Sequence, residues 1–240
     1  MVIDLFRQDR PTALLVVPFL VVVLWPGAGF GGWSTPSAEL VQGLPNGMPL
    51  YGPVRELLTL APWAAMPMGI FLVFAACHRL CRSANDSEVY DRRNHMPALL
   101  FPLFLALMPG GLVPGPAFMG GFLVLWALNR TWGSMGRMNN LSPLFDSGLL
   151  LGLAGLFYLP YLFLGVVIWA SLAVNRPFHW REYAMPPIGL SVMFFLGWGA
   201  CHFLAPGLWN VLGSLRPLTP RVPVAAPHWT FHVVLVAVLG

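Results

Sequence analysis

Charge is scarce in this chain: Asp, Glu, Lys and Arg make up 9% of its 240 residues, against 57% hydrophobic residues. A water-soluble domain usually carries about 25% charged residues, because its surface must be solvated. Too few charges are present here to cover a globule of this size, so the remaining surface is expected to face lipid. The mean hydropathy of +0.71 agrees with that expectation.

The apolar stretches run over residues 12–30, 57–77, 97–108, 117–128, 145–158, 160–174, 186–205 and 229–240. A helix needs about 20 residues to cross a bilayer core. The first, second and seventh stretches meet or approach that length. The expectation is an all-α bundle of about seven to eight membrane segments, some short and paired, forming one integral membrane domain over residues 1–240. The last stretch ends at Gly240 inside an apolar run too short to span, which reads as a truncated terminal helix.

All 13 basic residues are arginine. They are spread over short hydrophilic gaps rather than massed on one face, so no nucleic-acid partner is expected. Their positions set an orientation instead, because basic residues gather on the cytoplasmic side. Arg7 and Arg10 precede the first stretch, and Arg79, Arg82, Arg92 and Arg93 follow the second. Arg130 and Arg137 follow the fourth, and Arg176 and Arg181 follow the sixth. If 145–158 and 160–174 form one hairpin broken at Pro160, these ten all lie inside, leaving only Arg55, Arg216 and Arg221 outside. The N-terminus is then cytoplasmic.

Within the hairpin, Gly148, Gly152, Ala154 and Gly155 suit close helix approach. Trp25, Trp33, Tyr51, Trp63, Trp132, Trp180, Trp209 and Trp229 lie near apolar ends and fit interfacial anchoring. Cys77 and Cys81 bracket His78 with a C-x3-C spacing. Packing at a helix end accounts for them better than a metal site, and neither a metal nor a cofactor is expected.

Chemistry-bearing motifs are few. No P-loop, H-E-x-x-H or G-x-S-x-G pattern is present, which disfavours an ATPase or a soluble-type hydrolase. Asp146 lies near the start of an apolar segment, where a carboxylate can cap free amides and is favoured by the helix dipole. The other reading of Asp146 is a proton or substrate site. The run Asn175–Tyr183 carries Arg176, His179 and Arg181 among aromatics. That mixture suits either phosphate binding or a basic interfacial turn. On the outer side, Glu39, Arg55 and Glu56 are either solvated charge or groups able to act as a base. His202, inside an apolar helix, is expected to bond a neighbouring helix. The mixed-charge run Ser83–His95 reads as a solvated loop.

Three stretches carry a resemblance. Phe6-Arg7-Gln8-Asp9-Arg10-Pro11, the run Phe145 to Ala154 (FDSGLLLGLA) and Arg176-Pro177-Phe178-His179-Trp180-Arg181-Glu182 together resemble an uncharacterised multi-pass family of the Bacteroidota envelope. The resemblance implies membrane class and a place in envelope biogenesis, without an activity. The chain is also loosely similar to the GT-C membrane glycosyltransferases, through its early outer loop and the Gly148–Ala154 pattern. That similarity implies a polyprenyl-phosphate-linked substrate, with Glu39 or Glu56 as base and Arg55, Arg216 and Arg221 holding carrier phosphate. The family's paired aspartates are absent from this loop. The reading placed first is therefore a non-catalytic subunit or scaffold of an envelope complex, with membrane lipids and protein partners around it. The alternative is a GT-C-like enzyme or carrier-handling protein.

Overall fold

The computed structural model describes residues 12–24, 48–86, 95–107, 113–134, 141–175 and 179–204. Glu39, Arg176, Arg216 and Arg221 lie outside the described residues, as do the Phe6–Pro11 motif and the final apolar stretch. Every regular element among the described residues is helical. The α-helices are α1 (Thr12–Leu24), α2 (Tyr51–Leu60), α3 (Ala65–Asp86), α4 (Met96–Leu107), α5 (Pro116–Trp132), α6 (Leu141–Phe157), α7 (Gly165–Asn175) and α8 (Trp180–Leu204). Short 3-10 turns, Pro62–Ala64 and Leu159–Leu164, lead into α3 and α7.

Two helical stretches, Pro62–Asp86 and Trp180–Phe203, are long and apolar enough to cross a membrane. The others are shorter. Helix α6 has 17 residues, about 25 Å at 1.5 Å per residue, against a bilayer core of about 30 Å.

The chain divides into two compact units. In the first, α1, α3 and α4 pack against one another. Its buried side chains include Val17, Val21, Leu72, Val73, Ala76, Cys77, Leu99 and Leu103. The helix anticipated to end near residue 77 runs on to Asp86, so Ser83 to Asp86 are helical rather than loop. Arg82 and Asp86 pair across one turn there, 3.5 Å apart and well exposed, a contact that adds about 0.3–0.5 kcal/mol.

The second unit holds residues 48–55 and helices α5 to α8, with α6 packed between α5 and α8. Val124, Leu151, Ala154 and Ile168 form its core, flanked by Leu123, Leu128, Tyr161, Leu164 and Leu190. The pairing of α6 with α8 rests on glycine. A Cβ on Gly148 would collide with the backbone of Pro186, and one on Gly189 with the carbonyl of Phe145. At Gly152 the added atom would fall 2.8 Å from Met193 Cβ, and at Gly197 2.7 Å from Leu156 Cδ1. Where the two backbones approach this closely, dispersion contacts along the whole seam replace the side-chain interdigitation of an ordinary helix pair. The hairpin between α6 and α7 breaks at Tyr158–Pro160, at the proline the sequence marks for it.

Candidate functional site

Prolines inside helices leave carbonyls without their usual amide donor, four residues back. Two such carbonyls, and one at the end of α6 just ahead of Pro160, are satisfied from elsewhere in the chain. Pro187 frees the carbonyl of Tyr183, which accepts the indole N–H of Trp169 from α7 at 3.2 Å. Pro102 frees the carbonyl of Ala98, toward which the Cys77 thiol donates at 3.6 Å. Pro160 frees the carbonyl of Leu156, which accepts the backbone N–H of Leu50 at 3.2 Å; the Met48 N–H donates to Phe157 alongside it. A buried carbonyl left unpaired costs about 1–3 kcal/mol, so the donors to Ala98 and Leu156 carry weight in the fold; the Trp169–Tyr183 bond is exposed and contributes about 0.5–1.5 kcal/mol.

This accounting assigns the cysteines. Cys77 and Cys81 are buried free thiols, the second donating toward the His95 carbonyl at 3.9 Å. They fasten α3 to the start of α4. Among the described residues no group of three metal-ligating side chains comes together. His95 itself is buried, and its Nδ1 has no hydrogen-bond partner.

The richest polar cluster lies at one end of the second unit, where the C-termini of α5 and α7 meet the N-termini of α6 and α8. Arg130 Nε and Nη2 both donate to Asp146 Oδ2, at 3.1 and 2.8 Å. Trp132 Nε1 donates to Ser171 Oγ at 3.3 Å, and Ser171 in turn donates to the Val167 carbonyl. The Trp169–Tyr183 bond closes the same end. Asp146 sits in the second turn of α6, because the helix begins at Leu141; it clamps α5 to α6 instead of capping an N-terminus. The pair is about half exposed, so its contribution lies at the lower end for a forked ion pair, about 0.5–1 kcal/mol.

Arg181 is exposed on α8, its Cζ 5.6 Å from the centre of the Trp180 ring. His179 precedes the helix, its carbonyl accepting the N–H groups of Glu182 and Tyr183. Glu182 stands in the first turn, where the helix dipole favours a carboxylate. His202 is exposed and stacked on Trp198 with ring centres 5.6 Å apart, rather than bonded to a neighbouring helix. On α2, Arg55 is half-buried in the second unit, and Glu56 is exposed in the first. Tyr51, expected among the surface aromatics, is 1% exposed. Burial pushes its phenol up to about 12, with the Arg55 charge pulling the other way.

Sequence reasoning picked out Asp146, His179 and Arg181 singly and missed what joins this end together. Arg130, Trp132 and Trp169 are the joining residues. The available signal was an arginine closing one apolar segment and an aspartate opening the next across a short gap, a spacing that brings opposite charges to one end of a helix pair. No family model, curated protein or solved structure matches the chain.

Proposed function

We propose that this protein is a multi-pass inner-membrane protein with a cytoplasmic N-terminus, acting as a non-catalytic subunit that docks a partner's membrane helix. One observation carries the docking role. The outward face of α7 presents Val166, Val167, Ala170, Ala173 and Val174, spaced three or four residues apart and exposed. Val174 is 84% exposed and Val166 62%. Residues at this spacing share a helix face, and small side chains let a second helix come close, which is how helices associate in lipid. The membrane setting draws on the low charge, the two long apolar helices and the ten-to-three division of arginines.

The test is extraction in a mild detergent followed by mass spectrometry, with a photo-crosslinking residue at Ala170. The reading expects a stoichiometric protein partner, crosslinked through an apolar helix and lost when Ala170→Phe roughens the face. A solitary chain that retains a polyprenyl-phosphate lipid, with retention abolished by Glu56→Ala or Arg216→Ala, contradicts it and favours the carrier-handling alternative.

A further inference from the structure

Helix α8 carries a second outward face, of different chemistry from that of α7. Arg181, Ile188, Phe195 and His202 recur every seventh residue, two helical turns apart, and so form one stripe along the helix. All four are exposed, with Phe195 at 69% and Ile188 at 47%. Val192 and Leu196 widen the stripe, and only 11% of the apolar window on this helix is buried. The opposite face, with Pro186, Gly189, Met193 and Gly197, is the one held against α6.

The stripe differs from the α7 face in relief and in charge. The stripe carries the larger side chains Ile188, Phe195 and Leu196 and ends in a guanidinium, which suits the acyl chains and phosphodiester of a lipid. Its two ends are dissimilar. At one, the Arg181 guanidinium lies against Trp180; at the other, His202 lies flat on Trp198. From Arg181 to His202 is 21 residues, about 31 Å along the axis, which matches a bilayer core of about 30 Å. The two tryptophans therefore fall at the two levels where indoles anchor. Among the described residues Arg181 pairs with no carboxylate. Glu182 follows it in sequence but is turned about 100° away around the helix.

Resting on the membrane reading above, we infer that this stripe is a binding seam for one anionic phospholipid. Its acyl chains lie along Ile188 and Val192, within the half of the core nearer Arg181, and its phosphodiester is held by Arg181. A guanidinium stays charged at any working pH and matches phosphate geometry with two parallel donors. The Trp180 ring keeps that fork at headgroup level rather than free in water.

Native mass spectrometry of the whole chain in mild detergent, with phosphatidylglycerol and phosphatidylcholine of matched acyl chains, tests the inference. The expected result is retention of one phosphatidylglycerol with about fivefold preference over phosphatidylcholine, the scale of one basic residue at an anionic surface. Arg181→Gln brings the two lipids to parity, and Arg181→Lys keeps most of the preference. Ile188→Ser lowers retention of both lipids while leaving their ratio unchanged. Equal retention by the wild type, or a preference untouched by Arg181→Gln, overturns the lipid seam and leaves the membrane reading standing. Release of the chain from membranes by an alkaline carbonate wash overturns both.

Discussion

Trp169 shows how one side chain offsets a structural cost incurred elsewhere. Its indole N–H fills the position that Pro187 leaves open on the Tyr183 carbonyl. Trp169→Phe keeps the ring but removes the donor, and is expected to destabilise the protein by about 0.5–1.5 kcal/mol, the net worth of an exposed hydrogen bond. Thermal unfolding in detergent measures this. The same substitution in a Pro187→Ala background, which restores the helical amide, should cost markedly less; equal losses in both backgrounds would refute the assignment. Tyr51 makes a different prediction. Its folded-state pKa is raised to about 12 by burial, against a usual value near 10. Stability from the neutral phenol is thus full below about pH 10 and is lost as pH rises from there toward 12. Absorbance titration of tyrosinate should show Tyr51 ionising late, and Tyr51→Phe should reduce the late amplitude by one tyrosine. Disappearance of a normal step near pH 10 instead would contradict the burial of this phenol.

Among the elements, the α6–α8 seam depends most on residue size. Gly152→Val places branched carbons where Met193 and the Leu190 backbone already stand. Overpacking of this kind costs about 1–3 kcal/mol, and here it also forces the helices apart. A lowered unfolding temperature is expected, while Gly199→Ala, where nothing lies within 4 Å of the new carbon, should be nearly silent. The small residues of α6 and the break at Pro160 were legible in the sequence, because small-residue spacing and proline geometry act locally. The passage of α4 through Pro102 was legible too, as the unbroken stretch 97–108, but the start of α8 at Trp180, ahead of Pro186 and Pro187, was not. Pro187 is tolerated with a donor, Trp169, that arrives from another helix, and no local pattern announces that. Asp146 was misread as a cap for a related reason: the start of α6 at Leu141 depends on backbone geometry, and its partner Arg130 belongs to another helix. The exposure of His202 was equally hidden, since helical spacing gives a stripe but not which side of the helix is covered.

At the scale of the molecule, composition determined most: with 9% charged residues, the outward faces of α7 and α8 are apolar where a soluble protein would place charge. Those two faces divide the labour in this account. One presents valine and alanine and is proposed to meet a partner's helix; the other presents Ile, Phe and Leu with an arginine at one end and is proposed to meet a lipid. Both assignments require the membrane topology, and that topology turns on the hairpin of α6 and α7, whose two ends carry Arg130 and Arg137 on one side and Arg176 and Arg181 on the other. Side-reporting protein insertions after Arg137 and after Arg176 in the otherwise intact chain test the account most directly. The account predicts cytoplasmic reporting at both sites. Reporting from opposite sides of the membrane would mean that residues 141–175 cross once, and would contradict the topology on which both faces depend.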